Sequence, residues 1–552
     1  MKKIWLKQYQ EGVPAEVDPD FYSSLADLFI KSCDKYADRP AFRNFDAEIS
    51  YRELSQLSSA FAAYLQQGLG LKKGDRVAIM LPNVFQYPVV LFGVLLAGLI
   101  AVNVNPLYTA PELIHQVNDA GAQTIIVLAN FAHTVQEALP QTQLKNIIVT
   151  QVGDLLPWPK ALVVNFVVQY FKKAIPSWFI PNAVRLKTAL QQGKKFSFSP
   201  VTLNGEDIAF LQYTGGTTGV AKGAVLTHRN LIANVEQIAA WTKPVLTEGK
   251  EIIITPLPMY HVFSLTANCL FFLSCGAMNV LITNPRDIPG LIAELKKVPY
   301  TCITGVNTLF NALLNNRDFA KLDFRRLKIA LGGGAAITSS VAERWQRVTG
   351  KVLLEGYGLT ETSPLVCVNP FNLTTYNGSV GLPAPSTDVC IRDEAGKDLP
   401  LCQIGELCVK GPQVMKEYWH HPEETRKVFT EDGWLLTGDI ARMDEHGFVY
   451  LVDRKKDLIL VSGFNVYPNE IEEVIASHPG VLEVAVIAVP DTVTGEAVKA
   501  FVVRKDPNLT EGDLRAFCRT QLTSYKRPKY IEFRDALPKS PVGKVLRRLL
   551  RD

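Results

Sequence analysis

The stretch Tyr213-Thr214-Gly215-Gly216-Thr217-Thr218-Gly219-Val220-Ala221-Lys222-Gly223 decides how the chain is read. Four glycines, three threonines and one lysine fall within these eleven residues, directly after the apolar run Ile208-Ala209-Phe210-Leu211. Glycine lets the backbone take positive φ and approach a ligand closely. A turn of that kind can aim successive N–H groups inward at an anion. The threonine hydroxyls add donors and a contact for a metal, and Lys222 adds a point charge. In chemical terms this is a phosphate cradle, with a flexible surface loop as the plainer alternative. A P-loop is disfavoured, because no Gly-Lys-Ser/Thr triplet opens a helix and Lys222 lies between Ala221 and Gly223.

The rest of the chain sets the cradle in context. Its 552 residues imply two or more domains, and 47% hydrophobic with 20% charged residues is ordinary globular composition. A formal net charge of +4 gives no reason to expect nucleic acid. Nine cysteines without a CxxC pair or His/Cys cluster indicate neither zinc nor a disulfide framework, and suggest a reduced, cytoplasmic setting. The start, Met1 to Lys7, lacks the apolar core of a signal peptide. Pro88–Val104 is too short to span a membrane, and Val262–Ile282 is interrupted by Ser264, Thr266, Asn268, Ser274, Gly276 and Asn279. Both read as buried core. Ala161–Ile180 mixes aromatics and valines with Lys172 and Lys173, and reads as a packed surface helix or a segment lying on a membrane.

In chain order, helices are expected at Ser24–Tyr36 and Tyr51–Gln67, then a strand at Arg76–Met80. Short apolar runs then alternate with helical segments to about residue 150 and again over 250–365. That pattern predicts α/β architecture with mainly parallel sheets. Residues 151–206 read as an irregular surface excursion. Residues 378–452 read as a small β-rich subdomain. The charged cluster Asp453-Arg454-Lys455-Lys456-Asp457 marks the expected boundary between a large domain, 1–452, and a compact α+β unit, 458–552.

Four more constellations carry chemistry. Leu331-Gly332-Gly333-Gly334-Ala335-Ala336 follows a strand, so its backbone can meet a flat ligand edge; alone, a tight turn explains it as well. Glu355-Gly356-Tyr357-Gly358-Leu359-Thr360-Glu361-Thr362 sets a tyrosine between glycines, an open aromatic face for a base, and offers Glu361 to Mg²⁺. Gly433-Trp434-Leu435-Leu436-Thr437-Gly438-Asp439 presents a carboxylate able to accept from two vicinal hydroxyls, and Arg454 can reach the same sugar or a phosphate. Pro538-Lys539-Ser540-Pro541-Val542-Gly543-Lys544-Val545-Leu546-Arg547-Arg548 places a lysine on a glycine-flanked loop; a basic solvated tail is the alternative.

In this order and spacing the five stretches resemble the adenylate-forming (AMP-binding) superfamily of acyl-CoA synthetases and luciferases. The resemblance runs from about residue 20 to the end. Asn105-Pro106-Leu107-Tyr108, Ile303-Thr304-Gly305-Val306-Asn307 and Ser462-Gly463-Phe464-Asn465-Val466-Tyr467-Pro468 strengthen it. It implies ATP-dependent activation of a long-chain fatty acid to acyl-AMP with pyrophosphate release, then transfer to CoA. It assigns the ATP phosphates to Tyr213–Lys222, with Thr214 and Glu361 linked to Mg²⁺. Gly332–Ala335 falls at the adenine edge, Tyr357 with Gly358 and Thr360 against the base, and Asp439 and Arg454 at the ribose. Lys544 matches the lysine on the carboxylate and α-phosphate, and Lys456 the hinge. Ser462, Gly463 and Phe464 fall on the CoA path. His261, Val262 and Phe263 with Thr304, Gly305 and Val306 fall on the acyl pocket. No aspartate occurs between Met259 and Pro285, where amino-acid-activating relatives hold an amine, so an uncharged acyl chain is expected. The resemblance further implies peripheral contact with the inner face of the membrane, and leaves a homodimer open.

Overall fold

The computed structural model describes residues 3–214, 221–540 and 543–551. Two large sheets carry most of the chain. The first has seven strands in the spatial order 184–185, 146–150, 124–128, 76–80, 100–103, 208–214 and 222–227. All neighbours are parallel except the last pair, a hairpin in which Thr214 stands opposite Lys222. The second has nine strands, with a parallel centre formed by 278–281, 252–255, 302–305, 329–332 and 353–358. Parallel strands need crossover helices, which is why apolar runs and helices alternate along the sequence.

The apolar segments resolve as core. Helix Gln86–Leu96 is buried at every position, and Phe92 stacks on Phe29 at 4.2 Å. A helix apolar all round belongs inside a large domain. The polar residues that interrupt 262–282 are internal partners rather than surface. Asn268 donates to Thr255 and Thr304, Ser264 to the Leu257 carbonyl, and Thr266 to the Ser363 carbonyl. Among the described residues no helix is long and apolar enough to cross a membrane.

Local chemistry sets the helix starts. Ser24 caps Leu25–Lys35 by accepting from Asp27 N–H, and Ser50 forms a capping box with Glu53 at the start of Tyr51–Ala63. The second helix widens to a π-turn over Tyr64–Gly68 instead of continuing regularly to Gln67. Residues 151–206 are more ordered than expected. Helices Lys160–Phe166 and Leu186–Gly193 and strand Val184–Arg185 lie there, because Leu186, Ala189 and Leu190 find burial in the main core.

Strands 388–392, 405–410, 435–443 and 449–454 form a small antiparallel sheet. After the turn Lys455–Asp457 comes a five-stranded sheet built on Gly495–Arg504, with helices Pro468–Ala476 and Glu511–Gln521. Its first hairpin joins Ile459–Val461 to Phe464–Val466 through Ser462 and Gly463, both at positive φ (51° and 82°). That is the backbone a two-residue hairpin loop requires.

Candidate active site

Strand pairing builds the centre of the site. Asp439 and Arg454 are directly opposite each other on adjacent antiparallel strands, so their side chains share a face. Arg454 Nε lies 2.9 Å from Asp439 Oδ1, and the Tyr357 hydroxyl donates to Asp439 Oδ2 at 2.7 Å. Asp439 is 4% exposed and Tyr357 7%. Burial and then the Asp439 charge push the Tyr357 phenol far above its usual range. The open aromatic face expected at Tyr357 is therefore a narrow one, because the ring packs against Val366, Leu382 and their neighbours.

The backbone of 332–334 lies alongside. A Cβ on Gly333 would sit 3.0 Å from both the Gly356 carbonyl and the Phe263 ring, so any larger residue would require one of them to give way. Gly334 takes φ +75° and is exposed, Ala335 is half-buried, and Gly332 is buried. Gly358 closes the strand Leu353–Gly358, and Thr360 opens the short turn that carries Glu361.

The cradle's described flanks, Tyr213–Thr214 and Ala221–Gly223, are held by residues far away in sequence. Gly215, Gly216, Thr217, Thr218 and Gly219 lie outside the described residues. Segment 416–419 runs beside strand 222–227: Lys416 N–H donates to the Val225 carbonyl, Val225 N–H to the Glu417 carbonyl and Trp419 N–H to the Gly223 carbonyl. This places the Tyr418 ring under Lys222, 5.5 Å from its ammonium, and lets Lys222 pair with Glu424. The Tyr418 hydroxyl donates to Glu361 Oε1 at 2.6 Å, and Met415 N–H donates to the Glu361 carbonyl. On the other flank the Tyr213 hydroxyl donates to Asp119 Oδ2 at 2.5 Å, and His421 Nε2 lies 3.2 Å from Asp119 Oδ1. Burial first, and Asp119 second, hold the Tyr213 phenol well above its ordinary range.

Tyr213→Phe keeps the ring and removes only the bond to Asp119. A hydrogen bond to a charged partner is worth about 1.5–3 kcal/mol, so the variant is expected to lose about that much free energy of unfolding in a denaturant titration. A midpoint equal to wild type would show that the ring alone matters.

Lys544 comes to the same cleft from the C-terminal side. Gly543 accepts from Thr308 Oγ1 at 3.2 Å, and a Cβ there would sit 2.9 Å from that oxygen and 3.1 Å from Val306 Cγ2. With φ +84° as well, position 543 is made for glycine. Lys544 is exposed along a cleft that surrounds it closely with protein. That crowding, then the Arg454 charge, pulls its pKa down to about 8, with Asp439 opposing the shift. His261 faces the same charge, and desolvation followed by Lys544 lowers it to about 4, so it is neutral at pH 7.

Arg547, three residues on, anchors this loop. Its guanidinium reaches Glu472 and Asn469 at 2.8 and 2.7 Å, and Asp453 and Asp457 at 3.4 and 3.3 Å. Lys456 sits between those two aspartates in sequence, with partial desolvation drawing its pKa down. The acyl-pocket expectations divide. His261 and Phe263 are half-buried beside the cleft, whereas Val262, Thr304, Gly305 and Val306 are buried, the Thr304 hydroxyl bonded to Asn268. Ser462, Gly463 and Phe464 lie apart on the hairpin tip, where Phe464 stacks on Tyr525 at 4.8 Å.

Asp119, Tyr418, His421, Glu424 and Arg547 were not singled out in the sequence. The run Tyr418-Trp419-His420-His421, four consecutive ring side chains, was the one available signal, and only for Tyr418 and His421.

A buried Tyr357–Asp439–Arg454 cluster on a large α/β body, approached by a lysine loop from a small α+β unit, defines a class of two-part acid-activating proteins. The chain belongs to the AMP-binding enzyme family. Residues 29–419 match the family model for the AMP-binding enzyme, and residues 470–544 that for its C-terminal domain. A long-chain-fatty-acid–CoA ligase of Escherichia coli is 58% identical over 552 residues, covering all of this chain and 98% of that protein. The protein of the same name in Bacillus subtilis is 40% identical over the same shares. Among solved structures, an anthranilate CoA ligase in complex with anthranoyl-AMP superposes with a TM-score of 0.85, covering 97% of this chain and 98% of that one at 24% identity. ATP-bound MatB from Rhodopseudomonas palustris gives 0.80 at 29% identity, covering 95% and 98%.

Proposed function

We infer that the chain is an ATP-dependent long-chain fatty acid–CoA ligase. It forms acyl-AMP with release of pyrophosphate, then transfers the acyl group to CoA and releases AMP. The full-length identity to proteins of that activity carries the assignment. The placement of Lys544 supports it chemically. The lysine stands between the Asp439–Arg454 pair and the Val306–Thr308 segment, where a nucleotide α-phosphate and a carboxylate would meet.

The roles follow from position. Thr214, Lys222 and the glycines between them bind the β- and γ-phosphates. Tyr357 lies against the adenine with Gly358 and Thr360, and Gly332–Ala335 border its edge. Asp439 accepts from the ribose hydroxyls, oriented by Arg454. Negative charge grows on the α-phosphate as the carboxylate attacks, and Lys544 stabilises it there. His261 stays neutral beside this charge, so it adds no competing cation, and with Val262 and Phe263 it borders the acyl chain.

The residues also fit Mg²⁺. Glu361 Oε1 is oriented by Tyr418, while Oε2 accepts no bond from the described residues. Mg²⁺ favours one or two carboxylates with phosphate oxygens, so Glu361 with the Thr214 hydroxyl would hold it. When bound it neutralises charge on the departing pyrophosphate.

Residues 1–452 form the ATP- and acyl-binding domain, with 378–452 as its β-rich part, and 458–552 form the mobile domain. Rotation of the small domain about Lys456 in 453–457 withdraws Lys544 and brings Ser462, Gly463 and Phe464 toward the acyl-AMP for CoA. One site thereby serves two unlike half-reactions. The protein works in the cytoplasm, at the inner face of the membrane, where its substrate partitions; a homodimer is compatible with this arrangement. All nine cysteines are free, which suits a reducing compartment.

A panel of fatty acids of increasing length, assayed with ATP and CoA for pyrophosphate and AMP, tests the assignment. A maximum among long chains is expected. A maximum at medium or aromatic acids would move the protein to another CoA ligase class. Pyrophosphate without CoA-dependent AMP would make it a fatty acyl-AMP ligase.

A further inference from the structure

From Leu155 to Gly205 the chain carries seven Lys or Arg and no Asp or Glu, although the whole protein is nearly balanced at 58 basic and 54 acidic residues. Two of the seven are engaged: Lys187 lies 3.6 Å from Asp154, and Lys160 donates to the Phe45 carbonyl. Among the described residues, Lys172, Lys173, Arg185, Lys194 and Lys195 have no carboxylate within 4.0 Å. All five are exposed.

The same excursion presents an uncovered apolar face. Helix Lys160–Phe166 continues through Phe171 as a π-turn. Its inner side, Ala161, Val164 and Val168, packs on the main core. Its outer side also is apolar. Leu162, Phe166 and Tyr170 recur every four residues and are all more than 60% exposed, with Phe166 and Tyr170 rings 5.1 Å apart. Trp158, Phe171 and Phe179 of the same excursion are 80%, 84% and 77% exposed. Scattered apolar residues on a surface are ordinary, but a helix face of recurring exposed apolar side chains that runs into two lysines marks a contact.

We propose that this face docks on an anionic phospholipid bilayer, its aromatics at the headgroup boundary and Lys172 and Lys173 against lipid phosphates. Aromatic rings with flanking lysines are what such an interface selects. Charge decides the occupant. A second copy on this face would set lysines against lysines, whereas an anionic leaflet is complementary to Lys172 and Lys173, which directly follow Phe171. The proposal rests on the membrane contact stated above and gives it a surface and a lipid class.

The test is flotation of the full chain with vesicles of about one-third phosphatidylglycerol in phosphatidylcholine, against pure phosphatidylcholine. Wild type is expected to float with the anionic vesicles, less so at high salt. Reversing both lysines, Lys172→Glu with Lys173→Glu, is expected to weaken partition about thirty-fold or more. Phe166→Ser with Phe171→Ser is expected to release the protein as well. Both variants should match wild type in pyrophosphate release from a soluble acid without lipid, which reads the ligase assignment separately. Variants that float like wild type would overturn this surface while leaving membrane contact in place. A wild type that does not float would overturn both. Equal flotation on neutral vesicles would overturn the lipid class, and a dimer in solution lost in either variant would assign the face to a second copy.

Discussion

Lys544→Ala is expected to lower pyrophosphate release from ATP and fatty acid about a hundred- to a thousand-fold, the usual loss for one preorganised group at a developing charge. Thioester formation from supplied acyl-AMP and CoA should stay within about three-fold of wild type, because the proposed rotation takes the lysine away before that step. The two half-reactions are measured separately, and an equal loss in both would remove Lys544 from the α-phosphate. The wild-type pH profile adds an independent reading. With its pKa drawn down to about 8, Lys544 is charged below that pH and neutral above it. Adenylation should therefore decline as pH rises through about 8, while the thioester step should show no such decline. A profile flat from neutral to well above 8 would mean that charge on Lys544 is not required.

Gly543→Val is the second large effect. At φ +84° a β-branched residue is strained, and its Cβ would meet Thr308 Oγ1 at 2.9 Å and Val306 Cγ2 at 3.1 Å. The left-handed conformation alone costs roughly 1–2 kcal/mol for an L-residue. Displacing the contact adds to that, so adenylation is expected to drop about ten- to a hundred-fold, since each ten-fold is 1.36 kcal/mol. The small domain should fold normally, because residue 543 lies in a loop outside its core, and thioester formation should persist. Unchanged adenylation would show that the contact with Val306 and Thr308 does not position Lys544.

Much of this was legible in the sequence for a physical reason: chemistry carried by contiguous residues leaves a local mark. The glycine-rich hairpin, the strand-end glycines 332–334 and the Tyr357–Glu361 stretch each announce themselves within a dozen residues. The alternation of apolar runs and helices gave the α/β sheets in the same way. What stayed hidden depends on side chains that meet only after folding. Tyr418 reaches Glu361, Glu424 reaches Lys222, and Asp119 reaches Tyr213 across separations of 57, 202 and 94 residues. No spacing along the chain encodes those meetings. Tyr357 shows the converse error, since two flanking glycines suggested openness where the fold supplied a buried partner in Asp439. The order within 151–206 was missed because its helices are short and draw burial from a distant core.

The Arg547 cluster bears on the order of events. Arg547 lies three residues beyond Lys544 and grips Glu472 on the helix that follows the CoA-side hairpin, as well as Asp453 and Asp457 on either side of Lys456. On the proposed rotation about Lys456, lysine and hairpin would move together as one lever. If the lever turns as a unit, the protein cannot offer the thiol path while the lysine still engages phosphate, and the two chemistries exclude each other in time. Steady-state kinetics should then be of the ping-pong type, with pyrophosphate departing before CoA is admitted. CoA alone should be unable to draw the acyl-free protein into a wasteful cycle of ATP cleavage.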